Sequence, residues 1–395
     1  MSLRFLSAGE SHGPALCVIL EGFPAGVKID PAFIAAEMKR RQVGFGAGPR
    51  MKLENDRARI LSGVMAGVST GAPISILVEN ENHAKWKGKE IAAFSTPRPG
   101  HADLTGAVKY GYSDLRPALE RASARETAAR TAVGALCKSL LAHFDIQIGG
   151  YVRSIAEVEA RVEGIGLTER LRIAESNDLR CPDALAVEQM RARIRQGMEE
   201  RDTLGGTFEV VALGVPVGLG SFSQWDKRLE ARLGAALLSI PAIKGVEIGP
   251  AFTNSRLPGT LAHDAIQLNG EALQRPTNRA GGIEGGISNG QPILLRAAMK
   301  PIASTLTPQQ TVDLASGLPA ATVYERSDFC PVPRAVVVAE AMTAFVLAEA
   351  LLEKLGGDSL AEMLPRFKAL PGANLHDLHI RADKNIYWPE DEESV

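Results

Sequence analysis

The sequence is poor in cysteine and in aromatic residues, and neither sign of charge dominates. Of its 395 residues, 4 are cysteine, 5% are aromatic, and the formal net charge is −2. The cysteines form neither a CxxC pair nor a metal-finger spacing, which favours free, mostly buried thiols in a reducing compartment. The balanced charge argues against a nucleic-acid or membrane-surface partner, so any anion binding must come from local clusters of basic side chains.

Long apolar runs, targeting signals and repeats are also missing. We expect no membrane-spanning helix, because no stretch matches the ~18–20 apolar residues that such a helix needs. The N-terminal MSLRFLSAGESHG lacks the cationic segment and apolar run of a signal peptide. No repeat period is visible. We therefore expect a cytoplasmic protein without a membrane partner.

Common fingerprints of nucleotide and metal sites do not occur. No GxGxxG opens a strand–turn–helix unit and there is no GxxxxGK[ST] loop, so an ordinary nicotinamide-dependent flavin oxidoreductase has little support. The serine of GESHG does not occupy the position of a GxSxG elbow. No HxxxH or His-x-His pair accompanies the candidate histidines, which predicts that no metal is bound.

The predicted elements mix helices and strands without strict βαβ alternation, which favours an α+β fold. Strands are predicted at about 3–7, 15–21, 58–63, 73–79, 146–153, 207–213, 243–249 and through ILLRAAM. Helices are predicted at about 31–41, 117–143, 185–200, 226–238 and 333–355. We expect one catalytic domain over 1–360 and a peripheral or disordered tail over 361–395.

Two histidines lie in glycine-bearing loops that a ligand can reach. His12 follows Ser11 in GESHG, where flanking glycines allow a tight turn between two strands. His101 lies in RPGHAD, within the long irregular stretch 80–112 that we interpret as an ordered binding loop. Each is either a general acid at neutral pH or a satisfied loop histidine, and for His101 the alternative partner is Asp103.

Basic side chains flank the first glycine-rich loop and recur on the longest predicted helix. Those beside the loop are Arg40, Arg41, Arg50 and Lys52. Arg121 and Arg125 have a helical i, i+4 spacing, which places them on one face of the predicted helix. Arg125 enters where that helix becomes apolar, so it needs an anionic partner. The partner is either Glu126 or another carboxylate of the chain, or a ligand phosphate or carboxylate.

Three features of the C-terminal half are weaker signals. GGIEGGISNGQP either leaves main-chain N–H groups free to bind an anion or a flat ring, or forms an irregular loop. Lys300 lies at the end of the strand that follows. Asp328, in RSDFCP, is either a general base or half of an Arg–Asp pair that caps the last helix. Cys330 is expected to be buried and inert.

Taken together, these segments resemble the chorismate synthase family. The resemblance rests on GESHG, RRQVGFGAGPRMKLENDR, RPGHADLTGAVKYG, LERASARETAARTAVG, QWDKRLEARL, SIPAIKGVEIG, GGIEGGISNGQPI, MKPI and RSDFCPVPRA, which follow the family's order to about residue 355. It implies a β-α-β sandwich, with a helical layer between two sheets, assembled as a homotetramer. It also implies a 1,4-elimination that converts 5-enolpyruvylshikimate 3-phosphate to chorismate and phosphate, closing the shikimate pathway. That reaction needs reduced FMN yet has no net redox change.

The resemblance also implies roles for individual residues. His12 would protonate the departing phosphate, His101 would lie near flavin N1, and Asp328 would assist deprotonation at flavin N5. The substrate would be bound by Ser11, Arg41, Arg50, Arg125 and Arg326. The flavin would contact Ser123, Ala124, Arg125, Gly285, Lys300, Ser304 and Arg326.

Some positions depart from the family pattern. Ala47 stands where many relatives carry an arginine, Pro49 replaces a glycine, and Ser304 replaces a threonine but keeps the hydroxyl. The missing arginine leaves a second interpretation open, a non-catalytic binding module for phosphorylated metabolites. No fused reductase domain is visible, so we expect a monofunctional enzyme that takes reduced flavin from an external flavin reductase, with NADP as an associated nucleotide.

Overall fold

The computed structural model describes residues 2–48, 56–325, 327–385 and 387. Pro49, Arg50, Lys52 and Arg326, which the sequence singled out, lie outside these ranges.

Helices and strands follow one another irregularly along the chain. The helices are α1 (Pro31–Gln42), α2 (Asp103–Tyr110), α3 (Arg116–Arg121), α4 (Thr127–Ala142), α5 (Leu167–Ala174), α6 (Ala184–Glu199), α7 (Leu229–Leu238), α8 (Ala251–Asn254), α9 (Gly259–Ala262), α10 (Val332–Leu355) and α11 (Leu360–Lys368). The strands are β1 (Arg4–Ala8), β2 (Ala15–Glu21), β3 (Ala58–Ile60), β4 (Val64–Met65), β5 (Val68–Ser69), β6 (Ile74–Glu79), β7 (Gln147–Ile155), β8 (Val158–Glu159), β9 (Gly206–Leu213), β10 (Ile243–Ile248), β11 (Gln267–Asn269), β12 (Ala272–Gln274), β13 (Ile283–Glu284), β14 (Ile287–Ser288), β15 (Ile293–Met299), β16 (Gln310–Asp313) and β17 (Leu318–Ala321).

Two antiparallel sheets form the outer layers. The first has the strand order β1-β2-β6-β3, and the second has the order β10-β15-β9-β7-β8. Alternation along β6 buries Ile74, Ile76 and Val78 on one side of the first sheet. Phe208 and Val210 of β9 are buried in the same way in the second sheet. Each sheet therefore presents an apolar face to the space between them.

Helices α4 and α10 fill that space and pack against each other. Helix α4 also contacts β2 and β6, whereas α10 contacts β7 and β9. At the crossing, a Cβ on Gly134 would lie 2.2 Å from the Cβ of Ala341, so only glycine permits this approach. The predicted α+β fold and the β-α-β sandwich that the resemblance implied are thus both confirmed.

Helix α10 corrects one expectation. It is long and apolar enough to cross a membrane by length and composition alone, whereas we expected no such stretch. The core helix of a globular protein passes the same test, and 89% of the relevant window is buried inside the protein. Its apolar composition is explained by its place between two sheets.

The helix predicted over 117–143 is broken in two. Helix α3 ends at Arg121, a 3-10 turn spans Ala124–Glu126, and α4 begins at Thr127. The break is at Ser123, whose backbone is extended and whose hydroxyl accepts a hydrogen bond from the main-chain N–H of Arg125. Serine competes with helical hydrogen bonding in this way, which a periodicity argument does not detect. Arg121 and Arg125 therefore do not share a helix face.

Two other segments contain more regular secondary structure than expected. The stretch 80–112 contains a 3-10 turn at Glu81–Lys85 and helix α2. The segment predicted as a tail, 361–395, begins inside helix α11, where Met363 is fully buried. The first turns of that segment therefore belong to the packed body of the protein rather than to its periphery.

Candidate functional site

A cavity of about 1000 Å³ opens where the β1–β2 turn, the 80–102 loop, the α3–α4 break and the end of β15 meet. It is lined by most of the residues that the sequence singled out: Ser11, His12, Arg41, His101, Ser123, Ala124, Arg125, Lys300, Ser304 and Asp328. Gly285 does not line it and lies instead in the turn between β13 and β14. Residues far apart in sequence thus converge on one space.

His12 is held in a tight turn between β1 and β2. Gly9 has φ of +108°, and a Cβ there would lie 2.4 Å from the carbonyl oxygen of Ala15, so the turn requires glycine. The main-chain N–H of His12 donates to Oε2 of Glu120 at 2.7 Å, and its Nδ1 lies 2.8 Å from Oε1 of the same carboxylate. The indole of Trp86 packs on the imidazole, with ring centroids 4.6 Å apart.

The protonation of this pair follows from Glu120. Burial alone would raise the pKa of the Glu120 carboxyl, but its hydrogen bonds with His12 outweigh burial and hold the pKa below its ordinary value. An ionised carboxylate only accepts, so Nδ1 of His12 must carry a proton. Any exchange of a proton with a ligand is therefore left to Nε2.

His101 also has a carboxylate partner. Its Nδ1 lies 2.6 Å from Oδ1 of Asp103, and Asp103 accepts a further bond from Nε of Arg98 at 2.8 Å. Burial opposes ionisation of Asp103, yet its hydrogen bonds from Arg98 and His101 keep the pKa well below the ordinary value. The interpretation of His101 as a loop histidine bonded to Asp103 is therefore confirmed, and the same histidine lines the cavity.

Arg41 and Arg125, two of the arginines that line the cavity, share one buried carboxylate. Nη1 of Arg41 donates to Oδ2 of Asp56 at 2.9 Å, and Nη1 of Arg125 forms a close ion pair with Oδ1. Burial, reinforced by nearby Arg334 and Arg125 and opposed by Asp56, lowers the pKa of Arg41 to about 9, which still leaves it protonated at neutral pH. Two guanidinium groups thus meet at one carboxylate beside the cavity.

Of the partners that the sequence left open for Arg125, the structure shows another carboxylate of the chain, Asp56. Its Nε also donates to Oδ1 of Asn80 at 2.8 Å. Glu126, the neighbour that was considered as its partner, pairs with Arg130 at 3.0 Å instead. Arg40 turns away from the cavity arginines into a separate ionic cluster with Glu37, Glu175 and Glu340.

The loop of His101 and the segment after β15, which both line the cavity, are joined by hydrogen bonds. Nζ of Lys300 donates to the carbonyl oxygen of Gly100 at 2.9 Å, and Nη1 of Arg98 donates to Oγ of Ser304 at 3.1 Å. Burial and the nearby charge of Lys244 lower the pKa of Lys300. These contacts fix the loop of His101 against the end of β15.

Asp328 lies just before α10. Its Oδ1 accepts from the main-chain N–H of Gly48 at 2.8 Å, and its Oδ2 forms a close ion pair with Nη1 of Arg334 in the first turn of that helix. An Arg–Asp pair therefore lies at the start of α10, with Arg334 as the arginine, but the N-cap residue of this helix is Pro331 and makes no side-chain cap hydrogen bond. Burial raises the pKa of the Cys330 thiol to about 12, which confirms the expectation of a buried, inert cysteine.

Several residues that organise the site escaped the sequence argument. They are Asp56, Asn80, Glu120 and Arg334. A signal for Asp56 was present, because a buried arginine requires a carboxylate somewhere in the chain. No signal in sequence pairs Glu120 with a histidine so distant. Within the described residues, no group of three or more His, Cys, Asp or Glu side chains is placed to hold a metal ion.

Comparison with known proteins gives a consistent result. A sequence model described as chorismate synthase matches residues 3–352. The chorismate synthase of Desulforudis audaxviator is 50% identical over 373 residues, covering 92% of this chain and 95% of that protein. The chorismate synthase of Chlorobaculum tepidum is 48% identical over 389 residues, covering 94% and 98%. A crystal structure of chorismate synthase matches with a TM-score of 0.77 at 42% identity, covering 93% of this chain and 97% of that one. The chain therefore belongs to the chorismate synthase family of lyases.

Proposed function

We propose that this chain eliminates phosphate from 5-enolpyruvylshikimate 3-phosphate to give chorismate, with reduced FMN required and no net redox change. The observation that carries the proposal is the placement of His12, Arg41 and Arg125 around one cavity. A departing phosphate needs a proton donor and fixed positive charge where its negative charge grows. Family membership supports the same reaction.

The arginines bind the substrate anions. Arg41 and Arg125 are both buried and share Asp56, so their guanidinium groups are held in place before the substrate arrives. The guanidinium fork suits a phosphate or carboxylate and costs no reorganisation when it is already held. Ser11 lines the same wall, where its Oγ accepts from Oγ of Ser123 at 3.1 Å. Arg50 and Arg326 complete the proposed set.

The cavity also fits a flavin. Its volume of about 1000 Å³ stands at the upper end of the roughly 300–1,000 Å³ range of small-molecule pockets, so it has room for a substrate beside a ring system. Ser123, Ala124, Lys300 and Ser304 line it and supply hydroxyl, main-chain and ammonium groups. When bound, reduced FMN supplies the electron that assists phosphate departure and recovers it afterwards.

Three side chains handle protons and charge. His12 donates a proton from Nε2 to the departing phosphate, since its Nδ1 is engaged by Glu120. Asp328, oriented by Gly48 and Arg334, assists removal of the ring proton. His101, held by Asp103, stabilises negative charge on the flavin side of the cavity.

We further propose that the enzyme is a cytoplasmic homotetramer supplied with reduced flavin by a separate reductase. Light scattering coupled to size-exclusion chromatography tests the assembly, and a stable, active monomer would contradict it.

The decisive experiment is anaerobic. Purified protein is mixed with photoreduced FMN and 5-enolpyruvylshikimate 3-phosphate, while chorismate absorbance and released phosphate are followed together. Equal appearance of both products, dependent on reduced flavin and without net flavin oxidation, is the expected result. Substrate binding without turnover would identify a non-catalytic binding module and direct attention to Ala47. Oxidation of NAD(P)H coupled to substrate reduction would favour an ordinary flavin oxidoreductase.

A further inference from the structure

We propose that Glu120 is a positioning residue for His12, which fixes the imidazole so that Nε2 alone exchanges a proton with the substrate. The proposal rests on the proposed function and adds a residue to its machinery. Glu120 precedes the α3–α4 break, whereas His12 lies in the β1–β2 turn, so the contact joins two distant parts of the fold.

The geometry is a two-point clamp on one residue. One carboxylate oxygen of Glu120 accepts the main-chain N–H of His12 at 2.7 Å, and the other lies 2.8 Å from Nδ1 of the ring. The two contacts together set the side-chain torsions of His12 relative to its own backbone. A single hydrogen bond to the ring would leave the imidazole free to pivot about that contact.

The clamp also determines which ring nitrogen is protonated. The carboxyl of Glu120 is kept ionised by its hydrogen bonds with His12, and an ionised carboxylate only accepts. Nδ1–H is therefore retained in every protonation state of the ring, and proton exchange is confined to Nε2. Trp86 covers one face of the imidazole and opposes rotation of the ring.

The turn itself is anchored without the Glu120 carboxylate. Nδ2 of Asn80 donates to the carbonyl oxygens of Glu10 and Gly13 at 3.0 and 2.8 Å. Nδ1 of His83 lies 3.0 Å from the carbonyl oxygen of His12. Because these contacts hold the main chain, removal of the Glu120 side chain should disturb the ring of His12 more than the fold.

The test compares Glu120→Ala and Glu120→Gln, with Glu10→Ala as the matched control. Glu10 is an exposed carboxylate in the same turn, so its removal changes local charge without touching the clamp. Glu120→Ala is expected to lower kcat about 10–100-fold with KM changed less than about threefold, since a hydrogen bond to a charged group is lost while the substrate arginines remain. Glu120→Gln keeps an acceptor for Nδ1–H and should recover part of that loss. Glu10→Ala should match the parent protein.

A spectroscopic readout separates positioning from a structural effect. Solid-state 15N NMR of histidine-labelled protein at pH 9, with the His12 signals assigned by their absence in His12→Asn, reports the neutral tautomer. The parent and Glu120→Gln should show protonated Nδ1, and Glu120→Ala should shift His12 toward protonated Nε2. An unchanged tautomer in Glu120→Ala, or unchanged kcat, would overturn the proposal. The NMR result does not require turnover, so failure of the proposed reaction in the parent protein would be recognised separately.

Discussion

The cavity contains two histidine–carboxylate pairs that differ in how their charge is used. His12 and Glu120 are 108 residues apart, whereas His101 and Asp103 are two residues apart in one loop. Glu120 gives both oxygens to His12, but Asp103 is fully buried and divides its oxygens between His101 and Arg98. A carboxylate paired with a histidine can therefore either orient the imidazole ring, as Glu120 does, or connect several side chains of one loop, as Asp103 does.

The two histidines also differ in the groups that surround Nδ1. Nδ1 of His101 lies 2.6 Å from Asp103 and also 3.0 Å from Nη2 of Arg98, which can only donate. Nδ1 of His12 has an acceptor as its described partner. The His12–Glu120 pair is thus suited to repeated proton transfer at Nε2 of His12. The His101–Asp103 pair, together with Arg98, stabilises the conformation of its loop and places a polar ring at the cavity wall.

The largest expected effect is on turnover in His12→Ala. Loss of a general acid should lower kcat for phosphate release by about 10²–10⁴-fold, with reduced-FMN affinity changed little. Stopped-flow measurement of phosphate release and a separate flavin titration check this. His143→Ala, at an exposed histidine outside the cavity, is the control. Unchanged kcat in His12→Ala would remove His12 from the proton-donor role.

Asp103→Asn should act mainly on stability. Removing the charge leaves Arg98 buried without its partner, at a cost of about 3 kcal/mol in the free energy of unfolding. Because the pKa of Asp103 is lowered on folding, its contribution is fully present above pH of about 4, the unfolded value, and is lost as pH falls further. Urea denaturation at pH 7 and pH 3.5 should show a smaller acid-induced loss of stability in Asp103→Asn than in the parent. Equal acid sensitivity would contradict the buried ion pair.

A smaller effect is expected from His101→Ala. The proposed contact is with negative charge on the reduced flavin, so the dissociation constant of reduced FMN should rise about tenfold while oxidised FMN is affected less. Anaerobic fluorescence titration in both redox states measures the ratio. An equal loss for both states would assign His101 to general packing of the loop.

The smallest effect should follow Arg116→Gln. The guanidinium of Arg116 lies over the ring of Trp86, 5.7 Å from its centroid, and its charge helps keep Glu120 ionised. A cation–π contact of this kind is worth about 0.5–1 kcal/mol, so kcat should fall about two- to fivefold. Steady-state assays would measure this fall in kcat. Lys109→Gln is the control, because Lys109 lies over the ring of Tyr110 and does not line the cavity. A larger loss than that of Glu120→Ala would mean that Trp86, rather than Glu120, orients His12.

The sequence predicted much of the architecture because its signals are local. Strand β2 was predicted with its observed bounds, α1 differs from its prediction by one residue at its C-terminal end, and α6 differs by one residue at each end. The apolar pattern of a strand or helix reflects which of its faces is buried, and this pattern can be read from residues that are close together in the sequence. The α3–α4 break was missed because a single hydrogen bond of Ser123 overrides an otherwise helical pattern.

The site was predictable in its residue types but not in its pairings. Glycine turns and arginine clusters indicated an anion site, and the resemblance supplied the roles of individual residues. Asp56 and Glu120 could not be assigned to their partners, because those contacts exist only once the layers have assembled. The pairing of opposite charges in a buried site depends on the folded structure, and the paired residues have no characteristic spacing in the sequence.

The packing of α10 against α4 has a consequence for how the chain is made. Helix α4 emerges from the ribosome nearly two hundred residues before its principal neighbour, since α4 ends at Ala142 and α10 begins at Val332. Until then, α4 lacks its principal neighbour, and the apolar faces of α4 and the strands that α10 covers are exposed. Contacts so distant in sequence slow folding, and apolar surface that stays exposed during synthesis favours aggregation. A chain that stops before Val332 would therefore have no means of closing its interior.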